Sequence, residues 1–271
     1  MFGNIKFVRP RRPEGSEYVS YNDLFRLCEL SRFEIVRPAD VRLGEADDTY
    51  ICPIMFPPRS LADELAEQVR KCKVIAWLLE RPATRNPFLP SAPFDQIWLS
   101  DLALARKFVP GNSRVRYVPV GGNAELCPWT RGRFRKPPEP IFDFALMAYL
   151  AQQRLERHPN LPGYNIAPSV YPPSRDKVLE HCRAGLCLHQ DSDPYIEPLR
   201  YVLFTIAGLP LCVEHCENTY PYLTYPVTDP EAALADAKGY AEINYSNMTT
   251  VLTFDRCVMD ALVTDDQLPN L

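Results

Sequence analysis

The stretch from residue 183 to residue 214 constrains the fold of this 271-residue chain more than any other. It opens with a short apolar run at residues 185–189, which predicts a strand that is buried on both faces. A polar segment at residues 190–194 follows, and its aspartates and serine are residue types that cap helices. Apolar residues then recur at helical spacing up to Gly208, and a second apolar run begins after that glycine. This order of strand, polar turn, helix and strand predicts one unit of a parallel α/β sheet.

The ends of the helix in this stretch are marked by their residue types. Pro194 or Pro198 can occupy its first turn, and we expect Asp193 to cap it. Gly208 is expected to end the helix, with Pro210 following it.

Apolar runs and helical repeats also alternate in the rest of the chain. Before the linker they predict strands at residues 5–8, 33–36, 49–55, 73–79, 94–99 and 114–120, and helices at 21–30, from Ser60, and at 101–108 with Ser100 as its cap. After the linker, strands are expected at residues 141–150 and 164–170, and the chain is expected to close with helices at 231–241 and 248–262.

Residues 124–140 carry basic residues and prolines but no periodic pattern, and we interpret them as a linker. The sequence therefore predicts an N-terminal unit at residues 1–123 and a C-terminal unit at residues 141–271, each with a parallel sheet. The basic residues at 131–136 could serve an anionic ligand, or they could be a solvated connection.

Five residues of the organising stretch form a pattern that resembles the donor-binding half of glycosyltransferases of the GT-B fold: Pro198, Arg200, Ala207, Gly208 and Pro210. The nearest resemblance is to spore-maturation-type and family 4-like bacterial and phage enzymes. The segments at 74–82, 97–101 and 117–122 are similar to that family in order and spacing.

The resemblance implies two Rossmann-like domains with parallel sheets that face each other across a cleft. It also implies transfer of a sugar from a UDP- or GDP-linked nucleotide sugar, without metal or other cofactor. The implied acceptor is a glycan, a protein or a modified nucleic acid. Leu203 stands where the family usually has a carboxylate that holds the ribose. The arginine and lysine that hold the diphosphate have no evident counterpart, although Arg154 and Arg157 occupy comparable positions.

Candidate donor-binding residues lie at the end of the strand and at the start of the helix of this stretch. They are His189, Asp191, Ser192, Asp193, Glu197 and Arg200. The carboxyl ends of parallel strands are where α/β proteins bind ligands, and a helix N-terminus attracts phosphate. Each residue also has a structural alternative: Arg200 can pair with Glu197 on one helix face, and His189 can be a hydrogen-bonded core residue.

Two further candidates lie in the N-terminal unit. Glu80 follows the apolar run at 73–79, which should be a central strand, and we expect it to be the general base that deprotonates the acceptor. Its alternative is an exposed carboxylate paired with Arg81. The loop at Gly15, Ser16 and Glu17 could lie against the acceptor or the donor phosphates, or it could be a solvated basic loop.

The net charge, the cysteine positions and the length of the apolar runs limit the kinds of protein that this sequence can encode. The net charge of −4 and the pI near 5.7 argue against non-specific nucleic-acid binding. The nine cysteines fall largely inside apolar patterns and are expected to be reduced and buried, and no metal-ligand spacing is evident. The sequence has no apolar run that could span a membrane and no signal-peptide core, so a soluble, cytoplasmic protein is expected.

Two alternatives to a glycosyltransferase of this kind stay open. The chain could be a non-catalytic member of the fold that binds a nucleotide, a glycan or a protein, which Leu203 favours. It could also be a transferase that glycosylates modified bases of phage DNA, for which residues 131–136 would supply a local basic patch.

Overall fold

The computed structural model describes residues 4–9, 19–43, 47–54, 72–79, 94–147, 151–167, 175–189, 195–264 and 266–269. The described strands form two sheets in which every pair of neighbouring strands is parallel. The expected α/β class with two parallel sheets is therefore confirmed.

The first sheet has six strands in the order β2-β1-β3-β4-β5-β6. Its elements are β1 (Ile5–Val8), α1 (Val19–Leu30), β2 (Glu34–Val36), β3 (Thr49–Ile54), β4 (Lys73–Leu78), β5 (Gln96–Leu99), α2 (Leu102–Phe108) and β6 (Val115–Tyr117). The apolar run at 73–79 forms β4, and that strand is central, as expected.

The second sheet has five strands in the order β11-β10-β9-β7-β8. Its strands are β7 (Phe142–Leu146), β8 (Ile166–Ala167), β9 (Cys182–Cys187), β10 (Leu211–Val213) and β11 (Thr224–Pro226). The helices from the connection onward are α3 (Thr130–Arg135), α4 (Ala151–Leu155), α5 (Arg175–Glu180), α6 (Pro198–Ile206), α7 (Pro230–Ala235), α8 (Tyr240–Ser246) and α9 (Phe254–Val263). None of the described helices combines the length and apolar character needed to cross a membrane.

The two sheets share one strand pattern. In each of them the first strand lies between the second and the third, so that the chain adds strands on one side and then crosses to the other. This reversal is the topological switch point of a doubly wound sheet, and it lies between β1 and β3 in one sheet and between β7 and β9 in the other. Ligands bind such sheets outside the carboxyl ends of the strands at this point.

Helix α6 confirms most of the pattern that organises the sequence. Gly208 has φ +69°, and the amide groups of Gly208 and Leu209 donate to the carbonyls of Thr205 and Phe204, which closes the helix end. A Cβ on Gly185 would lie 2.5 Å from Cγ of Phe204, so glycine in β9 lets the helix pack directly on the sheet.

Two expected helix caps are wrong. The N-cap of α6 is Glu197, so that position does not belong to Asp193, which lies outside the described residues. The N-cap of α2 is Asp101, whose carboxylate accepts a hydrogen bond from the Leu104 amide at 2.8 Å. Ser100 instead accepts from the Trp77 indole.

The connection between the sheets is more ordered than its composition suggests. Residues 130–135 form α3, where Thr130 is fully buried and donates to the Ile206 carbonyl at 2.7 Å. Arg133 donates to the carbonyls of Leu179, Glu180 and Cys182. Arg131, Arg135 and Lys136 are exposed, so the connection is ordered through Thr130 and Arg133 while most of its basic side chains remain in water.

The two units are packed together by a continuous apolar core. A single cluster of buried side chains extends from Phe7 and Leu24 of the first unit to Tyr201 and Ile206 of the second, and α1 packs against α6. An ion pair between Arg175 and Asp23, with oxygens 2.6 and 2.7 Å from one guanidinium nitrogen, is buried in the same interface.

The last helix returns to the first unit. Thr253 forms a parallel bridge with Gly122, and the ring of Phe254 lies within 6.0 Å of the rings of Phe7, Phe33 and Trp77. Phe254 is fully buried. Burial of this ring ties α9 to the first sheet.

Candidate functional site

The switch point of the second sheet carries a group of charged side chains that contact one another at the strand ends. Helix α4 follows β7 and brings Arg154, and the turn after it brings Arg157. His189 lies two residues beyond the end of β9. Glu214 follows β10 directly. These residues come from three neighbouring strands, so the parallel sheet places their side chains at one edge.

The arginines hold the loop at the end of β9. Arg154 donates to the Leu188 carbonyl at 2.6 Å, and Arg157 donates to the carbonyl of His189. Arg200, in the first turn of α6, also reaches the Leu188 carbonyl, at 3.4 Å. The backbone at the exit of β9 is therefore surrounded by guanidinium groups.

Two glutamates share these three arginines. Glu197 forms ion pairs with Arg200 and with Arg154, the latter at 3.4 Å. Glu214 lies 3.7 Å from Arg157 and accepts a hydrogen bond from the backbone amide of His189 at 2.7 Å. We name these five side chains the arginine–glutamate cluster: Arg154, Arg157, Arg200, Glu197 and Glu214.

The cluster consists of three guanidinium groups and two carboxylates, and four of its five side chains are at most 26% exposed. The Arg154 side chain is only 5% exposed, and burial lowers its pKa, an effect that the neighbouring Glu197 opposes. Guanidinium groups donate charge-assisted hydrogen bonds to oxyanions, and such bonds are stronger where water is excluded. The arrangement is therefore chemically suited to an anionic ligand.

Arg157 is the most accessible cation of the cluster. Its side chain is 36% exposed, against 13% for Arg200 and 5% for Arg154. A guanidinium offers five N–H donors in a fork that matches phosphate oxygens, and a half-exposed one can direct some of them to a ligand. Arg157 is therefore the best-placed arginine for direct contact with an anion.

His189 also contacts a thiol. Its Nε2 lies 3.4 Å from Sγ of Cys216 and 3.1 Å from the His215 carbonyl oxygen, and the Tyr201 hydroxyl lies 3.4 Å from the same sulfur. Burial raises the pKa of Cys216 to about 12, so the sulfur is a neutral thiol at physiological pH. This group is a buried polar network and not an activated nucleophile.

The cysteines are free and mostly buried, as the sequence predicts. All nine cysteines are free, and Cys28, Cys52, Cys187 and Cys212 are buried. Within the described residues, no group of three or more histidine, cysteine, aspartate or glutamate side chains is arranged to hold a metal ion.

Of the residues that the sequence singled out, the structure brings His189, Glu197 and Arg200 together. The Arg200–Glu197 ion pair is the structural alternative named for Arg200. The following candidates lie outside the described residues: Gly15, Ser16, Glu17, Glu80, Asp191, Ser192 and Asp193.

Sequence reasoning undervalued Arg154 and Arg157 and missed Glu214. Glu214 follows β10, a strand that the sequence located, so the rule that ligands bind at strand ends could have found it. Leu203 is 1% exposed and lies in the apolar core. It is therefore a packing residue, as its chemistry suggests.

Comparisons with known proteins find similar structures but no family. No protein-family model and no curated protein matches the chain. One similar solved structure is AviGT4, a glycosyltransferase involved in avilamycin A biosynthesis, with 13% identity, a TM-score of 0.47, and coverage of 96% of each chain. Another is an α1,3-fucosyltransferase, with 12% identity, a TM-score of 0.49, and coverage of 98% of this chain and 92% of that one.

A third similar structure is an α1,3-fucosyltransferase with GDP-fucose, at 12% identity and a TM-score of 0.45, covering 99% of this chain and 93% of that one. Likeness at this level does not transfer an activity from those proteins to this chain. The function proposed below therefore depends on the side chains at the switch point of the second sheet.

Proposed function

We propose that this protein is a glycosyltransferase that moves a sugar from a nucleotide sugar, UDP- or GDP-linked, to an acceptor hydroxyl. The observation that carries the proposal is the arginine–glutamate cluster at the switch point of the second sheet. A doubly wound sheet binds its ligand there, and the guanidinium groups of the cluster can donate to the oxygens of a diphosphate.

The chemistry required of the site is limited. The bond between the sugar C1 and the diphosphate oxygen breaks, C1 bonds to the acceptor oxygen, and the acceptor proton passes to a base. Arg157, together with Arg154 and Arg200, would stabilise the negative charge that develops on the leaving diphosphate. In other transferases a metal ion has this role. We therefore propose that the reaction needs no metal.

Glu80 is the proposed base. It follows Leu79, which is 2% exposed at the carboxyl end of the central strand β4. A carboxylate at the end of a central strand can reach the ligand crevice of its sheet, and general-base help is worth about a hundredfold to ten-thousandfold in rate. Glu80→Gln should therefore retain nucleotide affinity and lose turnover by at least about a hundredfold.

A second candidate function is non-catalytic binding of a nucleotide or a nucleotide sugar. It is favoured by position 203, where this chain has a buried leucine. The enzymes that the sequence resembles usually have a carboxylate at this position, and that carboxylate holds the ribose. Slow hydrolysis of the donor separates the two functions, because a binding protein would show nucleotide affinity without any turnover.

The first experiment is a thermal-shift measurement with UDP, GDP and their sugar conjugates, with EDTA present. A ligand at a hundred times its dissociation constant adds about 2.7 kcal/mol to the stability of the folded state. A rise in Tm that persists in EDTA supports the proposal. No shift with any of these compounds at millimolar concentration would remove its main support.

The second experiment tests the cluster itself. Arg157→Ala should weaken nucleoside diphosphate binding by about 1.5–3 kcal/mol, the contribution of a hydrogen bond to a charged group. Arg183→Ala is a matched control, because Arg183 is similarly exposed at 41% but pairs with Asp143 near the amino end of β9. Equal losses of nucleotide affinity in Arg157→Ala and Arg183→Ala would show that the overall positive charge of the protein, and not the cluster, determines binding.

A further inference from the structure

We infer that Asp101 of the first unit is a positioning residue for the arginine–glutamate cluster of the second unit. This inference rests on the proposed function, and it assigns to the first unit a part in building the donor site. Asp101 lies at the carboxyl end of β5 and is 6% exposed.

The two oxygens of this carboxylate serve different units. One oxygen caps α2 by accepting from the Leu104 amide at 2.8 Å, and the other accepts from the Ile196 amide of the second unit at 3.0 Å. Ile196 is 3% exposed, so a lost partner would leave its N–H buried without an acceptor. The second bond therefore fixes the backbone of residue 196 against the first unit.

The fixed backbone leads directly into the cluster. Glu197 is the next residue, and its carboxylate joins Arg200 to Arg154. Arg154 in turn holds the Leu188 carbonyl at the exit of β9. A shift of residue 196 would move this carboxylate, and the two arginines that it orients would move with it.

Lys107, in the last turn of α2, adds a second and weaker connection. Its Nζ lies 3.3 Å from the Tyr195 hydroxyl and 2.9 Å from the Glu217 carboxylate. The Lys107 side chain is 49% exposed, and exposed ion pairs stabilise little. The positioning effect is therefore expected to come mainly from Asp101.

Asp101→Asn tests the inference selectively. Asparagine caps a helix as well as aspartate does, so α2 keeps its cap, while the amide NH2 group that replaces one oxygen gives Ile196 no acceptor. Asp229→Asn is the matched control, because Asp229 caps α7 through the Ala232 amide in the second unit and is exposed.

Affinity for UDP, GDP, UMP and GMP is measured by calorimetry at a temperature at which all variants are folded. The inference predicts that Asp101→Asn lowers the preference for the diphosphate over the monophosphate by about tenfold, and that Asp229→Asn leaves it unchanged. A change in global stability alone would not move this ratio. An unchanged ratio in Asp101→Asn would overturn the inference.

Hydrogen exchange on the unliganded protein gives a readout that needs no nucleotide. In Asp101→Asn, faster exchange should extend from Ile196 to the His189 amide, which Glu214 holds at the far side of the cluster. Faster exchange confined to Ile196 would overturn the inference. If wild type binds none of the four nucleotides, the proposed function fails, and the exchange result still decides whether Asp101 orders the cluster.

A second variant covers the case in which Asp101→Asn does not fold. Lys107→Met removes both contacts of Nζ from a half-exposed side chain, so the fold should persist. It should lower the diphosphate preference by about twofold to fivefold, in keeping with a weak surface interaction. A preference identical to that of wild type in Lys107→Met would contradict the inference if no folded Asp101 variant is obtained.

Discussion

Raising the pH from about 7.5 to about 9.5, with a reductant present, should destabilise this protein strongly because its buried thiols resist ionisation. Burial raises the pKa of Cys182, Cys212 and Cys257 to about 12 in each case. It also raises the pKa of four further thiols: Cys28, Cys127, Cys187 and Cys216. In the unfolded chain a thiol has a pKa of about 8.5.

The direction in which stability changes with pH follows from these raised pKa values. A folded-state pKa above the unfolded value means that the folded state retains protons that the unfolded state releases. The contribution is fully present below about pH 8.5 and is lost as the pH rises toward the folded-state values. One pH unit above 8.5, each thiol costs about 1.4 kcal/mol, and seven together cost about 10 kcal/mol. A typical domain has a total stability of only about 5–15 kcal/mol.

Urea unfolding followed by tryptophan fluorescence at a series of pH values measures this loss. The unfolding midpoint should fall steeply above about pH 8.5, and Cys212→Ala should reduce the pH dependence by about one seventh, whatever it does to stability at neutral pH. A midpoint that is constant up to about pH 9.5 would refute the reasoning, since it would require that the thiols ionise equally in both states.

Three more predictions concern contacts within and between the units, each measured by urea unfolding. Asp23→Ala should cost about 3–5 kcal/mol because it removes the buried carboxylate that pairs with the Arg175 guanidinium and leaves only the exposed Asp176 as its partner, whereas replacing both residues with Leu and Met should be nearly neutral; equal losses in the two variants would contradict this. Gly208→Ala should cost about 1–3 kcal/mol, because its φ is positive and a Cβ would lie 2.7 Å from Thr130 Cγ2; an unchanged midpoint would show that the helix end relaxes. Phe254→Ala should cost about 3–5 kcal/mol by opening a cavity between α9 and the first sheet, and a loss below about 1 kcal/mol would mean that α9 is not anchored there.

The sequence predicted those elements whose signals are local. The apolar runs that form β4 and β9, and the helix that ends at Gly208, were all found because burial on both faces and a left-handed terminal residue leave direct marks on composition. Helix α3 was not predicted, because the sequence of residues 130–135 contains no repeat of apolar residues at helical spacing. It is held by tertiary bonds, such as that of Thr130 to Ile206, which no local pattern reveals.

The arginine–glutamate cluster could be predicted only in part for the same reason. Arg200 and Glu197 are three residues apart, and their pairing on one helix face is a local property. Arg157 and Glu214 are separated by more than fifty residues, and they meet only because β7, β9 and β10 are neighbours in the sheet. Strand order therefore had to be known before this half of the site could be recognised.

The packing between the units bears on how a ligand could reach this site. Separating them would expose side chains such as Phe254 and Ile206, both fully buried, at about 1.5–3 kcal/mol for each large apolar residue. It would also break the buried Asp23–Arg175 pair. Movement of the units as rigid bodies is therefore strongly opposed, in contrast to the small polar interfaces that allow domains to hinge. A site held in this way is preorganised: its arginines are oriented before the ligand arrives, and the free energy of ordering them is already part of folding. On this argument, Asp101→Asn should reduce affinity by loosening the site and not by altering a closing motion, so the loss should appear in the dissociation rate of the nucleotide, with the association rate nearly unchanged.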